Sequence, residues 1–209
     1  MNLAEAIGYL ESSAEGGNAE AQYKKYQETK ELNLAEAIGY LKSSSEGGNA
    51  EAQLELGNRY YNGDGVSQDA NEAVKWYRKS AAQGNAWAQY LLGWCYENGV
   101  GVSKDVYEAV KRYKLSADQG NAWAQFNLGL CYENGFGVSK DAYEAVKWYK
   151  LSADQGNAWA QFNLGWCYRN GFGVSKDIDE AIKWYEKASK NGHSLATDCL
   201  KNLKKNELY

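Results

Sequence analysis

GNAWAQFNLGLCYENGFG, residues Gly120–Gly137, sets a Trp, two Phe, a Cys and a Tyr among four Gly and three Asn. The stretch recurs 36 residues earlier as GNAWAQYLLGWCYENGVG and 36 later as GNAWAQFNLGWCYRNGFG. Working outward, four units of 36 residues follow one another without a gap: 49–84, 85–120, 121–156 and 157–192. The second and third are identical at 30 of 36 positions. Upstream, NLAEAIGYL occurs at Asn2 and again at Asn33, so 18–48 reads as the same unit shortened by five residues. Repetition at such a period marks a stacked-repeat architecture.

Within a unit the residues spell helix, loop, helix. Gly84-Asn85, Gly120-Asn121 and Gly156-Asn157 supply a left-handed Gly to end one helix and an Asn to cap the next. This first helix, the A-helix, ends in N-G-x-G-V, where paired Gly permit a turn that other residues make only at a cost. The B-helix opens with D-x-x-E (Asp69/Glu72, Asp105/Glu108, Asp141/Glu144, Asp177/Glu180), a capping box with acid at the helix N-terminus. Such a unit buries its apolar face only against neighbours, which predicts an all-α solenoid. We expect a single repeat domain over 1–209. It would hold a partial repeat at 1–17 with a B-type helix from Asn2 to Glu15, the shortened and full repeats, and a capping helix in 193–209. The last is an A-type helix near 194–207 with Lys201, Lys204 and Lys205 on a polar face. Beginning in mid-repeat suggests a region cut from a longer protein.

Composition narrows function more than fold. The 209 residues are 44% hydrophobic and 24% charged, with 8 Trp, 17 Tyr and no Pro. A net charge of -4 provides no field for nucleic acid or an anionic membrane. No run approaches a membrane span, and no secretory signal layout is visible, so a cytoplasmic protein, or one delivered into a host cytosol, is expected.

The pattern A-x-x-x-L-G-x-x-Y-x-x-G-x-G-V-x-x-D-x-x-x-A-x-x-W-Y appears here as Ala124, Leu128, Gly129, Tyr132, Gly135, Gly137, Val138, Asp141, Ala145, Trp148 and Tyr149. It resembles that of Sel-one-like repeats, relatives of the tetratricopeptide repeat. The resemblance implies a right-handed α/α superhelix with A-helices on its concave side, and an adaptor role without catalysis. Two departures stand out. Arg112 replaces Trp in one W-Y pair, and each unit has one Cys where disulfide-bearing members have two.

Little in the chain points to other chemistry. Cys95, Cys131 and Cys167 recur in one column, but neighbouring helix axes lie about 8–10 Å apart, too far for bridging. Free, core-facing thiols are expected, Cys199 falls in another phase, and a reducing compartment follows. One His and no CxxC make a zinc site poor. His193, just after Gly192, reads as a turn or capping residue. The G-x-G-V-S-K-D segments join helices and lack the lysine spacing of a phosphate loop. No nucleophile has a base partner, so neither an enzyme nor a cofactor is expected.

The A-helix aromatics divide into two stripes by the i, i+3, i+4, i+7 rule. Ala88, Leu92, Cys95 and Tyr96 form the core stripe, and Gly93 lets a neighbour approach. The other stripe is Trp87, Tyr90, Trp94, Glu97 and Asn98, repeated as Trp123, Phe126, Leu130, Glu133, Asn134 and as Trp159, Phe162, Trp166, Arg169, Asn170. Tyr90, Phe126 and Phe162 read as packing residues. By resemblance, the stripe faces a concave groove. The candidate partner-binding set is therefore Trp87, Trp94, Glu97, Asn98, Trp123, Leu130, Glu133, Asn134, Trp159, Trp166, Arg169 and Asn170. Trp would anchor apolar groups, Asn would hydrogen-bond a peptide, and Glu97 and Glu133 against Arg169 would set polarity. A protein or peptide partner is expected on a monomer with weak self-association. Carbohydrate stacking on the Trp column and a structural or oligomerising role in a longer protein are the alternatives.

Overall fold

The computed structural model describes residues 16–31 and 33–206. The helix expected over 2–15 lies outside them. Every described element is helical: α1 (Ala19–Thr29), α2 (Leu34–Glu46), α3 (Ala50–Asn62), α4 (Ala70–Ala82), α5 (Ala86–Asn98), α6 (Val106–Asp118), α7 (Ala122–Asn134), α8 (Ala142–Asp154), α9 (Ala158–Asn170), α10 (Ile178–Lys190) and α11 (Ser194–Asn206). The chain divides into two compact units, 1–104 and 105–209. In the first, α1 packs on α2, α3 on both α2 and α4, and α5 on α4; in the second, consecutive helices from α6 to α11 pack on one another.

Local chemistry sets the boundaries. Asn49, Asn85, Asn121 and Asn157 each accept a hydrogen bond from the backbone N–H three residues on, at 2.8–3.0 Å. Gly63, Gly99, Gly135 and Gly171 end these helices in the left-handed region. The second Gly of the loop has a further reason. A Cβ on Gly137 (φ +67°) would stand 2.4 Å from the Val106 carbonyl oxygen, and on Gly173 (φ +66°) 2.1 Å from that of Ala142. The loop is thus pressed onto the start of the preceding B-helix.

The D-x-x-E box forms only in half. Asp69 and Asp141 accept from the Glu N–H at 3.0 Å, as expected. Glu72 and Glu144, however, turn outward to Lys75 and Lys147 at i+3. The backbone N–H that Glu would have bonded instead donates to a carbonyl on the preceding A-helix, Asp69 to Tyr60 at 2.9 Å and Asp141 to Tyr132 at 3.0 Å. A donor already satisfied leaves the carboxylate nothing to close on.

The core is a repeated set: Ala124, Leu128 and Cys131 from α7, and Ala145, Val146, Tyr149 and Ala153 from α8, all buried. Gly129 makes room for Tyr149, since a Cβ there would meet the ring at 2.6 Å; Gly57 does the same for Tyr77. The shortened repeat reverses the exchange. Tyr26 stands in the register of Gly57 and Leu41 in that of Tyr77, both fully buried, so the ring enters from the A-helix instead. Its hydroxyl donates to Glu55 at 2.6 Å and accepts from Arg59 at 2.8 Å. Arg112 fits by a similar equivalence. Its guanidinium bonds Glu108 at i−4, as the Trp148 indole N–H bonds Glu144 at 3.1 Å.

Buried polar groups tie the helices together. Gln53, Gln89, Gln125 and Gln161 each donate to the carbonyl eight residues back, at 3.0–3.2 Å. Ser80 and Ser152 donate to Ala50 and Ala122 in the first turn of the A-helix. The cysteines are free, with Cys95, Cys131 and Cys167 buried. Burial pushes the Cys95 thiol up to about 11 and that of Cys167 to about 12, well away from thiolate reactivity.

Candidate functional site

The tryptophans sort by helix type. On the B-helices Trp76, Trp148 and Trp184 keep 6–8% of their surface, whereas on the A-helices Trp87, Trp123, Trp159 and Trp166 keep 49, 41, 52 and 38%. Trp94 is half-buried, set edge-on against Tyr61 at 5.8 Å. The exposed indoles are nonetheless held. Trp87 lies edge-on to Tyr90 at 5.7 Å, and Trp166 tilts over Phe172 at 5.5 Å.

The candidate set splits along each A-helix. Trp87, Trp123 and Trp159 occupy the first turn. The remaining candidates sit toward the C-terminal end, about 10–17 Å further on at about 1.5 Å per residue. There the polar members have internal work. Asn98, Asn134 and Asn170 each donate a side-chain N–H to the carbonyl four residues back, at 2.9 Å. Glu133 accepts the hydroxyl proton of the buried Tyr149. Arg169 lies beside the Tyr185 hydroxyl, whose pKa burial pushes up to about 12. Glu97 and Leu130 are half-buried. An amide has two N–H and a carbonyl, so Asn98 and its equivalents keep capacity for a ligand; Glu133 is committed inward.

His193 takes the position of Asn157 one repeat on, yet its side chain points inward. It is 6% exposed, stacked on Phe162 at 4.3 Å and 11° and meeting Trp159 edge-on at 4.5 Å. Neither ring nitrogen has a hydrogen-bond partner, and burial lowers its pKa. The turn expected there is present, since its N–H bonds the Ala188 carbonyl at 2.9 Å.

Sequence reasoning missed a second apolar surface. Tyr107 and Tyr143 are 75 and 71% exposed on B-helices, with Leu115 and Leu151 two turns on. Tyr143, Lys147, Lys150 and Leu151 border a cavity of about 440 Å³. The signal was legible: the flanking repeats carry Asn71 and Lys79, or Asp179 and Lys187, at the same register. No group of His, Cys, Asp and Glu suited to a metal occurs among the described residues, and no helix among them is long and apolar enough to cross a membrane.

Stacked helix pairs with Asn-capped A-helices and Gly-bent loops define a helical-repeat protein. The Sel1 repeat pattern matches residues 2–18, 50–85, 88–121, 124–157 and 160–193. The chain belongs to the Sel1 repeat family, whose members are generally non-catalytic scaffolds for protein interaction. It is similar to the crystal structure of a protective antigen of uropathogenic Escherichia coli that displays an SLR fold, with 36% identity and a TM-score of 0.89. That likeness covers 97% of this chain and 44% of the antigen, so the chain spans less than half the length of that protein. A Sel1 repeat protein from Oxalobacter formigenes is 34% identical, with a TM-score of 0.88 over 96% of this chain and 85% of that one. An immunity protein from Pseudomonas aeruginosa shares the fold at 21% identity and a TM-score of 0.55, over 85% of this chain and 67% of that one. No curated protein matches the sequence significantly.

Proposed function

We propose that the chain is a non-catalytic scaffold that holds a protein or peptide partner on the exposed aromatic face of its A-helices, the face that the family resemblance makes concave. One observation carries this reading: four of the five A-helix tryptophans stand 38–52% exposed where B-helix tryptophans are buried. An indole left in water on a rigid helix offers large contact area at little entropic cost, the property that makes Trp a binding hot spot. Trp123 and Trp159 are the principal anchors and Trp166 extends their face within the second unit, while Trp87 presents the same chemistry in the first. Asn98, Asn134 and Asn170 add hydrogen bonds, and Arg169 gives one end of the face a positive charge.

The test pairs the intact chain with the Trp123→Ala/Trp159→Ala variant in affinity capture from lysate, with far-UV circular dichroism as a control. The expected result is loss of the captured protein with helicity unchanged. Capture equal to that of the intact chain would remove these indoles from the interface. Loss of helicity would place them in the fold.

A further inference from the structure

Two clefts in the second unit stand one repeat apart and share a wall. The first, about 430 Å³, lies between the indoles of Trp123 and Trp159 over Ala122, Gly156 and Ala158. The second, about 170 Å³, lies between Trp159 and Leu195 over Ala158, Gly192 and Ser194. They correspond position by position, since Trp123, Gln155, Gly156 and Trp159 of the first become Trp159, Asn191, Gly192 and Leu195 of the second. Both sit at the turns that lead into A-helices.

We propose that these clefts are tandem sockets for two bulky apolar side chains on one extended, uncharged stretch of a partner polypeptide. The proposal rests on the scaffold reading and specifies what that scaffold recognises.

The lining selects against charge. No Asp, Glu, Lys or Arg borders either cleft among the described residues. The one ionisable group, His193, is held toward its neutral form by burial. The amides at the rim are already engaged: Gln155 donates to Gln125 at 2.7 Å, Asn191 to Gln161 at 2.9 Å, and Asn157 caps its own helix. A sugar ring stacked on an indole needs several polar partners around its hydroxyls, and the side-chain N–H donors of Gln155 and Asn191 are engaged within the protein. An apolar side chain needs none.

Size and rigidity agree. The smaller cleft is close to the apolar cavity of about 150 Å³ that accepts benzene, and the larger falls within the range of about 300–1,000 Å³ for ligand pockets. Small residues keep the floors low, while Ser152 holds the Ala122 carbonyl at 2.6 Å and Asn191 that of Gly156 at 3.3 Å. The shared wall is fixed from behind, because the Trp159 indole meets the His193 ring, which itself stacks on Phe162. Little ordering remains to be done on binding. One repeat is a step of about one helix diameter, roughly 10 Å, which three residues of a polyproline II chain span at about 3.1 Å each, with every third side chain on the same side. The two apolar side chains should stand at i and i+3.

Indole N–H signals of the ¹⁵N-labelled intact chain read the sockets directly. The probes are short acetylated and amidated Gly/Ser peptides carrying Leu or Phe at i and i+3, at one of these positions, or Glu at both, with cello- and chito-oligosaccharides alongside. The two-site apolar peptides should shift Trp123 and Trp159 and leave Trp76, Trp148 and Trp184 in place. Affinity should fall about tenfold or more on removing one apolar residue or on Leu195→Ala, since each buried side chain is worth at least that factor. The exposed Leu195 can be trimmed without opening the core. Oligosaccharides shifting these indoles while peptides do not, or an affinity indifferent to Leu195→Ala, would overturn the proposal. If the peptides fail but Trp123→Ala/Trp159→Ala still abolishes capture of a protein, the sockets fall and the scaffold stands. If that variant captures everything, the scaffold reading fails first.

Discussion

Replacing His193 by Asn tests whether the last helix is held by a substitute for its cap. Asn stands at this register in Asn85, Asn121 and Asn157, each bonding the N–H three residues on. His193→Asn should restore that bond at α11, worth about 1 kcal/mol. It also removes two unpartnered ring nitrogens, whose burial costs about 1–3 kcal/mol. Against this, the variant loses ring contacts with Phe162 and Trp159, at about 0.5–1.5 kcal/mol each, and leaves a void. The gains and losses nearly cancel at pH 7.5. They do not cancel in acid. The folded imidazole pKa lies below its usual 6.5, so the unfolded chain takes up the proton first. Stability is therefore complete above about pH 6.5 and is lost as pH falls toward the folded pKa, by about 1.4 kcal/mol per unit of depression. Urea unfolding of both proteins from pH 7.5 to 5.0 isolates the effect, because carboxylates titrate alike in each. The difference, wild type minus variant, should decline with pH. A flat difference would refute the account of His193 as a buried neutral ring without a partner.

Gly137→Ala should lower stability by about 2–4 kcal/mol, the sum of a left-handed residue and a Cβ driven into the Val106 carbonyl; the urea midpoint measures it, and a change under 1 kcal/mol would mean that the loop lifts freely. Tyr26→Gly should cost about 3–5 kcal/mol, and Leu41→Tyr added to it should recover part of that loss. A double-mutant cycle showing coupling of about 1 kcal/mol or more confirms that the two positions share one volume, whereas additive effects would count against the exchange.

What the sequence disclosed was whatever recurs in phase and acts locally. Asn121, Gly135, Gly137 and Asp141 carry their reason in their own chemistry, and they sit where that chemistry puts them. The core stripe of Ala124, Leu128 and Cys131 was legible for the same reason. The B-helix box was half legible, because the fate of Glu144 depended on a Tyr132 carbonyl brought in by the loop. The face was harder still. Whether an indole is a wall or a core residue depends on what lies opposite, so Trp148 at 6% and Trp159 at 52% exposure are not separated by composition. Glu133 looked free because its partner, the Tyr149 hydroxyl, arrives only when the helices close, whereas Asn134 turns back on the Leu130 carbonyl of its own helix. His193 broke the Asn pattern in plain view, but its inward turn needed Phe162 and Trp159 beside it.

The near-identity of repeats 85–120 and 121–156 bears on how such a face can be tuned. Their six differences are Tyr90/Phe126, Leu91/Asn127, Trp94/Leu130, Val100/Phe136, Val106/Ala142 and Arg112/Trp148. None touches the buried Ala, Leu, Cys and Tyr positions that set the spacing of the helices. Two of them, Trp94/Leu130 and Val100/Phe136, exchange bulk on the A-helix face or at the loop that follows it, where Phe136 stands 55% exposed. Arg112/Trp148 keeps a donor to the Glu four residues back while changing the side chain that delivers it. A frame held by caps, paired Gly and a Gly–Tyr exchange tolerates substitution at these positions, although Trp148 is itself buried and Phe126 and Leu130 pack against the core. A repeat protein built this way can alter the width and chemistry of its walls one residue at a time, at little cost to the stack that carries them.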